Sequence, residues 1–519
     1  MNDERGTWGS RLGFILAASG SAIGLGNIVF FTANAIKYGG GAFYLPYFIA
    51  LFVVGMPIMI MEFSLGRFTG RAFPVALRQI GGQRAEMVGW FGILNASIIT
   101  MYYITILSWV FGCFLGSFKQ MWQPAAIEAF NLPAGALSNS MSFFFNMITS
   151  LNPLFYVVIV WILNVIIVSK GTKTIEKAVK FFVPLMWLMM IVLIFRGLTL
   201  QNGVQGIYLL FTPDFSVMMD INVWKGAFSQ IFFTLSLGFG IMTTYASYLP
   251  KDADDVNNAT TVSFMNCGFE FIAGLAFFSL LFTFSIIPKT STIAMMFFVV
   301  PEGIARFPFG VVFFGALFFL LLLFAGLTSS VSLVEAVISS FIDKFGWNRS
   351  KTIVIVSLVG LLGSAAFALP MVIDPGLNSD GTLGFTLLDL FDHWAFGYGL
   401  LIAGLLECIF LGWLFDLDTL KSFTNKTGWF KLQNWFSILI KYIIPSIIIF
   451  ILGASIFDEF KQKLYGSQMT LGDYSYLYIL AFVIWLGIST ILPYIFSNMK
   501  SYSGPRADMQ KEVPLLIDT

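Results

Sequence analysis

Apolar runs too long for a soluble core decide most of what this chain can become. Residues 87–118 carry no Asp, Glu, Lys or Arg, and neither do residues 307–334. A helix needs about 20 apolar residues to cross the hydrocarbon of a bilayer, and both runs exceed that. A membrane β-barrel is excluded, because its strands alternate polar and apolar over about 10 residues and these runs are continuous. Composition extends the argument to the whole chain. Of 519 residues, 57% are hydrophobic and only 11% charged, against roughly a quarter charged in soluble domains. Mean hydropathy is +0.84. The chain reads as an integral membrane protein with no stretch polar enough for a separate aqueous domain. A net charge of +1 leaves no field to steer nucleic acid. The partners expected are membrane lipid and a small solute.

Twelve helical spans are predicted, at 11–36, 41–66, 88–117, 153–169, 178–196, 224–249, 257–285, 309–342, 352–372, 391–415, 432–456 and 472–497. With the N-terminus inside, 20 of the 29 lysines and arginines fall on the cytoplasmic side and 8 on the outer side. The positive-inside rule then places both termini in the cytoplasm, in a plasma (inner) membrane. The N-x-[ST] sequons agree: Asn95 lies in a span, while Asn258, Asn348 and Asn425 fall inside, so none is expected to carry glycan. Residues 1–11 are charged and lead straight into a span, so no signal peptide is expected. The outer loops are short except near 118–152, 197–223 and 286–308. The last ends in a Pro301–Pro308 segment, a candidate for folding back into an outer vestibule.

Scarcity excludes several chemistries. Cys113, Cys267 and Cys408 each sit in an apolar run, and His393 is the lone histidine. Neither zinc spacing nor a nucleophile–base pair emerges, and no enzyme is expected. No GxxxxGK[ST] loop is present, which argues against ATP as the energy source.

Two spans look broken. The first contains Gly20-Ser-Ala-Ile-Gly24-Leu-Gly26-Asn27, and the sixth Thr234-Leu-Ser-Leu-Gly238-Phe-Gly240. Glycine costs a helix about 1 kcal/mol per residue, and unwound backbone at membrane depth survives only inside protein or along a cavity. Close packing of small residues is the blander reading of the glycines, but Asn27 and Thr234 favour a polar site. Breaks five spans apart are the signature of two inverted five-helix repeats meeting at a binding site. The expected organisation is 1–10 cytoplasmic segment, 11–196 first repeat, 197–223 extracellular loop, 224–415 second repeat, 416–497 two further helices, and 498–519 cytoplasmic tail.

Four glutamates fall within spans: Glu62, Glu270, Glu335 and Glu407. Intramembrane charge is costly and usually functional. Glu62 is expected to cap amides freed by a break, and Glu407 to make an internal hydrogen bond. Asn266 and Glu270 sit one turn apart on one face. They pair an amide oxygen suited to a small cation with a carboxyl that can exchange a proton, or else make a plain interhelical contact. Thr328-Ser329-Ser330 offer hydroxyls that either bond their own helix or suit a weakly held monovalent ion.

These residues lie in longer motifs: Trp8-Gly-Ser-Arg-Leu-Gly13, SAIGLGN at 21–27, GGGAF at 39–43, GRFTG at 66–70, SQIFFTLSLGFG at 229–240, TYASY at 244–248 and FAGLTSS at 324–330. With them the chain resembles the neurotransmitter:sodium symporters, all-α membrane proteins of the LeuT fold, and most of all their bacterial members. The resemblance covers spans one to ten. It implies two sodium sites, one on Ala22, Asn27, Thr234 and Asn266, the other on Gly20, Ile23, Ala325, Thr328 and Ser329. A solute carboxylate would meet the amides of Leu25 and Gly26 and the Tyr103 hydroxyl. Its ammonium would meet Ala22, Phe233, Thr234 and Ser236. Ile99, Phe233, Phe239, Ser329 and Leu333 would line an apolar pocket. Gly24 stands where monoamine carriers have aspartate, implying an amino-acid-type solute.

Glu270 stands where chloride-dependent relatives carry serine, implying chloride independence with a proton on the return leg. Arg5, Trp8, Tyr248 and Asp343 match the intracellular gate. The outer gate departs from the pattern: Phe30 replaces the arginine that pairs with the aspartate here numbered Asp392. Phe30 is expected to close over Phe239, or else the unpaired Asp392 recruits a cationic solute. Glu335 has no counterpart that explains it. The expectation is a sodium-coupled symporter for a small zwitterionic amino acid. A carrier of a cationic or non-amino-acid solute, and a transport-inactive sensor, are the alternatives.

Overall fold

The computed structural model describes residues 6–118, 120–122, 139–284, 292–373, 383–462, 464–465 and 476–501. Among them, nine helices are long and apolar enough to cross a membrane: Gly40–Thr69, Phe73–Gly116, Thr172–Leu198, Asp255–Thr283, Val311–Phe345, Arg349–Leu369, Leu387–Leu414, Asn434–Lys461 and Leu477–Asn498. A tenth candidate is a pair bent by 84°, Ser140–Ile148 with Asn152–Val168. Each follows an expected span to within a few residues, except that Phe73–Gly116 starts fifteen residues early. It does so across a kink at Gly82, whose φ of 67° no continuous helix allows. Residues 285 and 472–475 of the expected spans lie outside the described residues.

Spans 11–36 and 224–249 are each built from two shorter helices. The first pair is Arg11–Ala22 and Leu25–Lys37, separated by Ile23 and Gly24 in extended conformation. The second is Ile221–Thr234 and Ile241–Ala246. Between these last two, Ser236, Gly238 and Gly240 have φ of 55°, 77° and 70°. An L side chain pays about 1–2 kcal/mol in that region, so glycine is natural at two of the three and Ser236 is held by its surroundings. Gly238 is fixed by space as well, since a Cβ there would lie 2.9 Å from the Leu400 carbonyl oxygen.

A break frees backbone amides that lipid cannot satisfy, and side chains answer here. The Gly24 N–H donates to Asn27 Oδ1 at 2.8 Å, and the Gly238 N–H donates to Glu62 Oε1 at 2.8 Å. Glu62 therefore caps the second break, as its position suggested. Glu407 departs from expectation: both its carboxyl oxygens are buried and have no hydrogen-bond partner among the described residues.

Burial sorts the helices. The most apolar stretch of Gly40–Thr69 is 78% buried, that of Leu477–Asn498 only 22%, so the former is central and the latter peripheral. Leu358 and Leu362, or Val483 and Ile491, present apolar surface outward, as lipid requires. Central helices are pinned by buried charge. Arg67 meets Asp255 through Nε at 2.8 Å and Nη2 at 2.7 Å, joining Gly40–Thr69 to Asp255–Thr283. Lys344 meets Glu86 at 2.6 Å, joining Val311–Phe345 to Phe73–Gly116.

Candidate functional site

The two breaks face a common polar network. Glu270, on the Asp255–Thr283 helix, accepts from the Tyr47 hydroxyl, from Gln230 Nε2 at 2.8 Å and from the Thr234 hydroxyl at 2.6 Å. Thr234 spends its one proton on Glu270, so its lone pairs take Asn27 Nδ2 at 2.7 Å and Asn266 Nδ2 at 3.1 Å. Asn27 Nδ2 also donates to Asn266 Oδ1 at 2.7 Å. The Asn27 amide nitrogen thus touches two oxygens, Thr234 Oγ1 and Asn266 Oδ1. A small cation taking its place would find the same two oxygens. Asn34 extends the network, donating to Gln230 Oε1 at 3.0 Å.

A second oxygen-rich junction joins the first break to the Val311–Phe345 helix. The Ser329 hydroxyl donates to the Ser21 carbonyl at 2.9 Å and the Ala325 carbonyl at 3.2 Å. Thr328 bonds back to Ala325 at 2.9 Å. Ser330 turns away to Asn164 Oδ1 at 2.9 Å, while Thr328 and Ser329 share the Ala325 carbonyl. At Gly20 an added Cβ would lie 2.9 Å from Val183 and 3.5 Å from Thr328, so only glycine lets these helices meet. Because the Gly24 amide is engaged by Asn27, a donor that a continuous helix would aim at the Gly20 carbonyl is used elsewhere. Ile23, buried at the end of this helix, has ψ of 90°, which swings its carbonyl off the helix axis. Hydroxyl, amide and carbonyl oxygens suit an alkali cation. No group of three or more His, Cys, Asp or Glu placed to hold a metal occurs among the described residues.

Beside these oxygens, the Leu25 N–H donates to the Tyr103 hydroxyl at 3.2 Å. A Cβ at Gly24 would meet Ser329 Oγ at 3.1 Å and the Tyr103 hydroxyl at 3.2 Å, whereas one at Gly26 would meet nothing within 4 Å. A side chain at position 24 would press on both hydroxyls, and open space adjoins Gly26 at a helix N-terminus, where backbone amides favour an anion. Ala22, Ile99 and Leu333 are buried; Ile99 is one turn before Tyr103, and Leu333 one turn after Ser329. Phe233 and Phe239 both contact Phe396, which no motif had singled out. The Ser236 hydroxyl reaches the Ser21 carbonyl at 3.4 Å, linking the two breaks. A separate cavity of about 470 Å³, lined by Phe118, Phe143, Asn152 and Tyr156 among others, lies away from these residues.

The residues matched to the inner gate are held by several contacts. Trp8 donates from Nε1 to the Tyr245 carbonyl at 2.8 Å and from its backbone to Tyr248 at 3.2 Å. The Tyr248 hydroxyl meets Glu335 Oε1 at 3.0 Å. Arg349 pairs with Glu335 and donates from Nε to the Val168 carbonyl at 3.1 Å. Glu335 thus has an account that the sequence withheld: it ties Tyr248 to the ends of two other helices. Asp343 accepts from the Ala72 N–H at 2.7 Å and lies 3.6 Å from Arg71. Arg5 lies outside the described residues. Phe30 has a described backbone, in Leu25–Lys37, but its side chain lies outside the description, so its closure over Phe239 stays an expectation. Asp392 accepts from the Tyr102 hydroxyl at 2.6 Å. No pattern in the sequence flagged Tyr102, Asn34 or Arg349.

Comparison with known proteins bears on this geometry. The model of the Sodium:neurotransmitter symporter family matches residues 5–142 and 124–500. An uncharacterized sodium-dependent transporter of Methanocaldococcus jannaschii is 37% identical over 96% of this chain and 99% of its own. A sodium- and chloride-dependent taurine transporter of Bos taurus is 29% identical over 80% of this chain and 72% of its own. Among solved structures, MhsT in complex with L-phenylalanine is similar with a TM-score of 0.74 and 29% identity, over 87% of this chain and 100% of that one.

Proposed function

Since the chain belongs to the sodium:neurotransmitter symporter family, a family of sodium-dependent membrane transporters, we propose that it is a sodium-coupled symporter for a small neutral amino acid or related zwitterion. The observation that carries this reading is the junction of Asn27, Thr234, Asn266 and Glu270 between two interrupted helices. In it, one sodium ion binds at Ala22, Asn27, Thr234 and Asn266, where the Asn27 amide withdraws its N–H groups and the solute carboxylate completes the shell. A second binds at Gly20, Ile23, Ala325, Thr328 and Ser329. The solute carboxylate lies at Leu25, Gly26 and Tyr103, its ammonium at the Ala22, Phe233 and Thr234 carbonyls and Ser236. Its side chain lies among Ile99, Phe233, Phe239, Ser329 and Leu333. That MhsT binds L-phenylalanine supports an apolar side chain.

Glu270 supplies fixed negative charge beside the first sodium, making the cycle chloride-independent, and takes a proton for the return. Thr234 and Tyr47 each hold a rotatable hydroxyl proton on it, so protonation requires only that one of them turn. The two interrupted segments cross the membrane with the other ten. Residues 11–196 and 224–415 form inverted repeats joined by the outer loop 197–223, followed by 416–497, with both termini in the cytoplasm of a plasma membrane. Spans one, two, six and seven rock against three, four, eight and nine, with Arg5, Trp8, Tyr248 and Asp343 as the inner gate. Two sodium ions crossing 100 mV release roughly 4.6 kcal/mol, about three orders of magnitude in solute concentration, before the returning proton is subtracted and the sodium gradient is added.

The cationic-solute reading is the weaker, because Tyr102 already engages Asp392 and Gly24 brings no acidic partner to the first break. The test is uptake of radiolabelled neutral amino acids, phenylalanine included, into proteoliposomes. An inward sodium gradient should drive accumulation and an equal potassium gradient should not. Uptake that persists in potassium overturns sodium coupling. Binding without accumulation makes the protein a sensor.

A further inference from the structure

We propose that Phe396 is the outer-gate residue of this protein, closing the pathway by stacking on the rim of the second helix break rather than through an ion pair. The inference rests on the transport reading above and deepens it. The Phe396 ring stacks on Phe233 with centroids 4.2 Å apart and planes at 28°, and lies edge-on to Phe239 at 6.2 Å. Phe233 immediately precedes Thr234, and Phe239 lies between Gly238 and Gly240. One ring therefore rests on both ends of the irregular stretch 235–240.

The local backbone aims it there. Asp392–Leu400 winds as a π-helix, a wider turn that re-aims side chains and recurs at functional sites. Behind Phe396 the same helix is pressed against the break at two glycines. A Cβ on Gly238 would meet the Leu400 carbonyl, and one on Gly404 would lie 2.4 Å from the Phe232 ring. The polar residues of this segment are committed elsewhere. Asp392 is held by Tyr102. His393 is 2.6 Å from Glu459 and stacked on Tyr465 at 3.7 Å. Phe396 carries its ring to Phe233, on the helix that ends at Thr234. A closure of this kind has no charge for salt to screen, and it roofs the solute pocket with rings.

The test reads access to the pocket and needs no knowledge of the solute. In a background lacking Cys113, Cys267 and Cys408, Ile99→Cys is labelled by an impermeant maleimide added outside right-side-out vesicles in sodium. Phe396→Leu and Phe396→Ala should raise the labelling rate about three- to tenfold, the range expected for losing one aromatic contact. Phe396→Tyr should stay near the parent, and raising ionic strength with a sodium-free salt should change nothing. Equal rates in the parent and the Leu variant overturn the proposal. So does acceleration by Asp392→Asn alone, or by salt. Should the Ala variant fail to fold, the Leu and Tyr pair decides. Loss of sodium-driven uptake by the unaltered protein would sink the symporter reading without touching this result.

Discussion

Replacing Glu270 with serine puts the proposed anion logic under direct test. The carboxylate accepts from Tyr47, Gln230 and Thr234, whose side chains belong to residues only 1%, 3% and 7% exposed. A serine hydroxyl is shorter by two heavy atoms and satisfies one of these donors at best. Each buried donor left unpaired costs about 1–3 kcal/mol, so two orphans destabilise the protein by about 2–6 kcal/mol, reduced where water enters. Chloride would refill the vacated volume with a single negative charge able to accept all three bonds. At a hundred times its Kd, it would return about 2.7 kcal/mol. The assay is thermal unfolding of Glu270→Ser in sodium gluconate and in sodium chloride, followed by uptake in both. The variant should melt lower in gluconate, recover in chloride and transport only in chloride, while the parent ignores the anion. A variant that melts and transports alike in both salts refutes the role given to Glu270.

Three further outcomes are expected. Asn27→Ala removes two of the hydrogen bonds around Thr234 and Asn266 and should raise the sodium concentration for half-maximal solute binding at least about tenfold; an unchanged sodium titration removes Asn27 from the ion site. Arg349→Gln leaves the buried Glu335 carboxylate without its cation. It should loosen the inner face, seen as faster cytoplasmic maleimide labelling of Ser247→Cys, and equal labelling would deny Glu335 a gating role. Arg67→Met strands Asp255 and should cost about 3–5 kcal/mol of thermal stability, whereas Arg67→Met with Asp255→Leu should recover most of it. If the double variant is no better than the single, the pair contributes more than relief of an isolated charge.

Long-period features were readable from the chain because they depend on many residues at once. The uninterrupted runs at 87–118 and 307–334 leave helices no alternative, and these appear at Phe73–Gly116 and Val311–Phe345. The stops at Ile23 and after Thr234 were legible because glycines cluster beside polar side chains. What escaped were pairings between residues far apart in sequence. Arg349 meeting Glu335 and the Val168 carbonyl, Tyr102 meeting Asp392, and Asn34 meeting Gln230 follow from helix rotation and tilt. Glu407 shows the converse. A mid-membrane carboxyl calls for a hydrogen bond, and its oxygens have none among the described residues. Phe396 was hidden differently, as one of 59 phenylalanines with no motif around it. Its stacking on Phe233 beside the second break is visible only in three dimensions.

The clamp between Arg67 and Asp255 has a mechanical meaning for the helices that carry it. The same two helices are cross-linked again where Tyr47 meets Glu270, 20 residues away on one helix and 15 on the other, or roughly 25 Å at 1.5 Å per residue. One rung is a permanent rivet of opposite charges. The other joins a hydroxyl to a carboxyl, and on the reading proposed for Glu270 its strength would change whenever a proton or an ion arrives. Rods riveted at both rungs cannot slide; released at the second alone, they would splay about the ionic one.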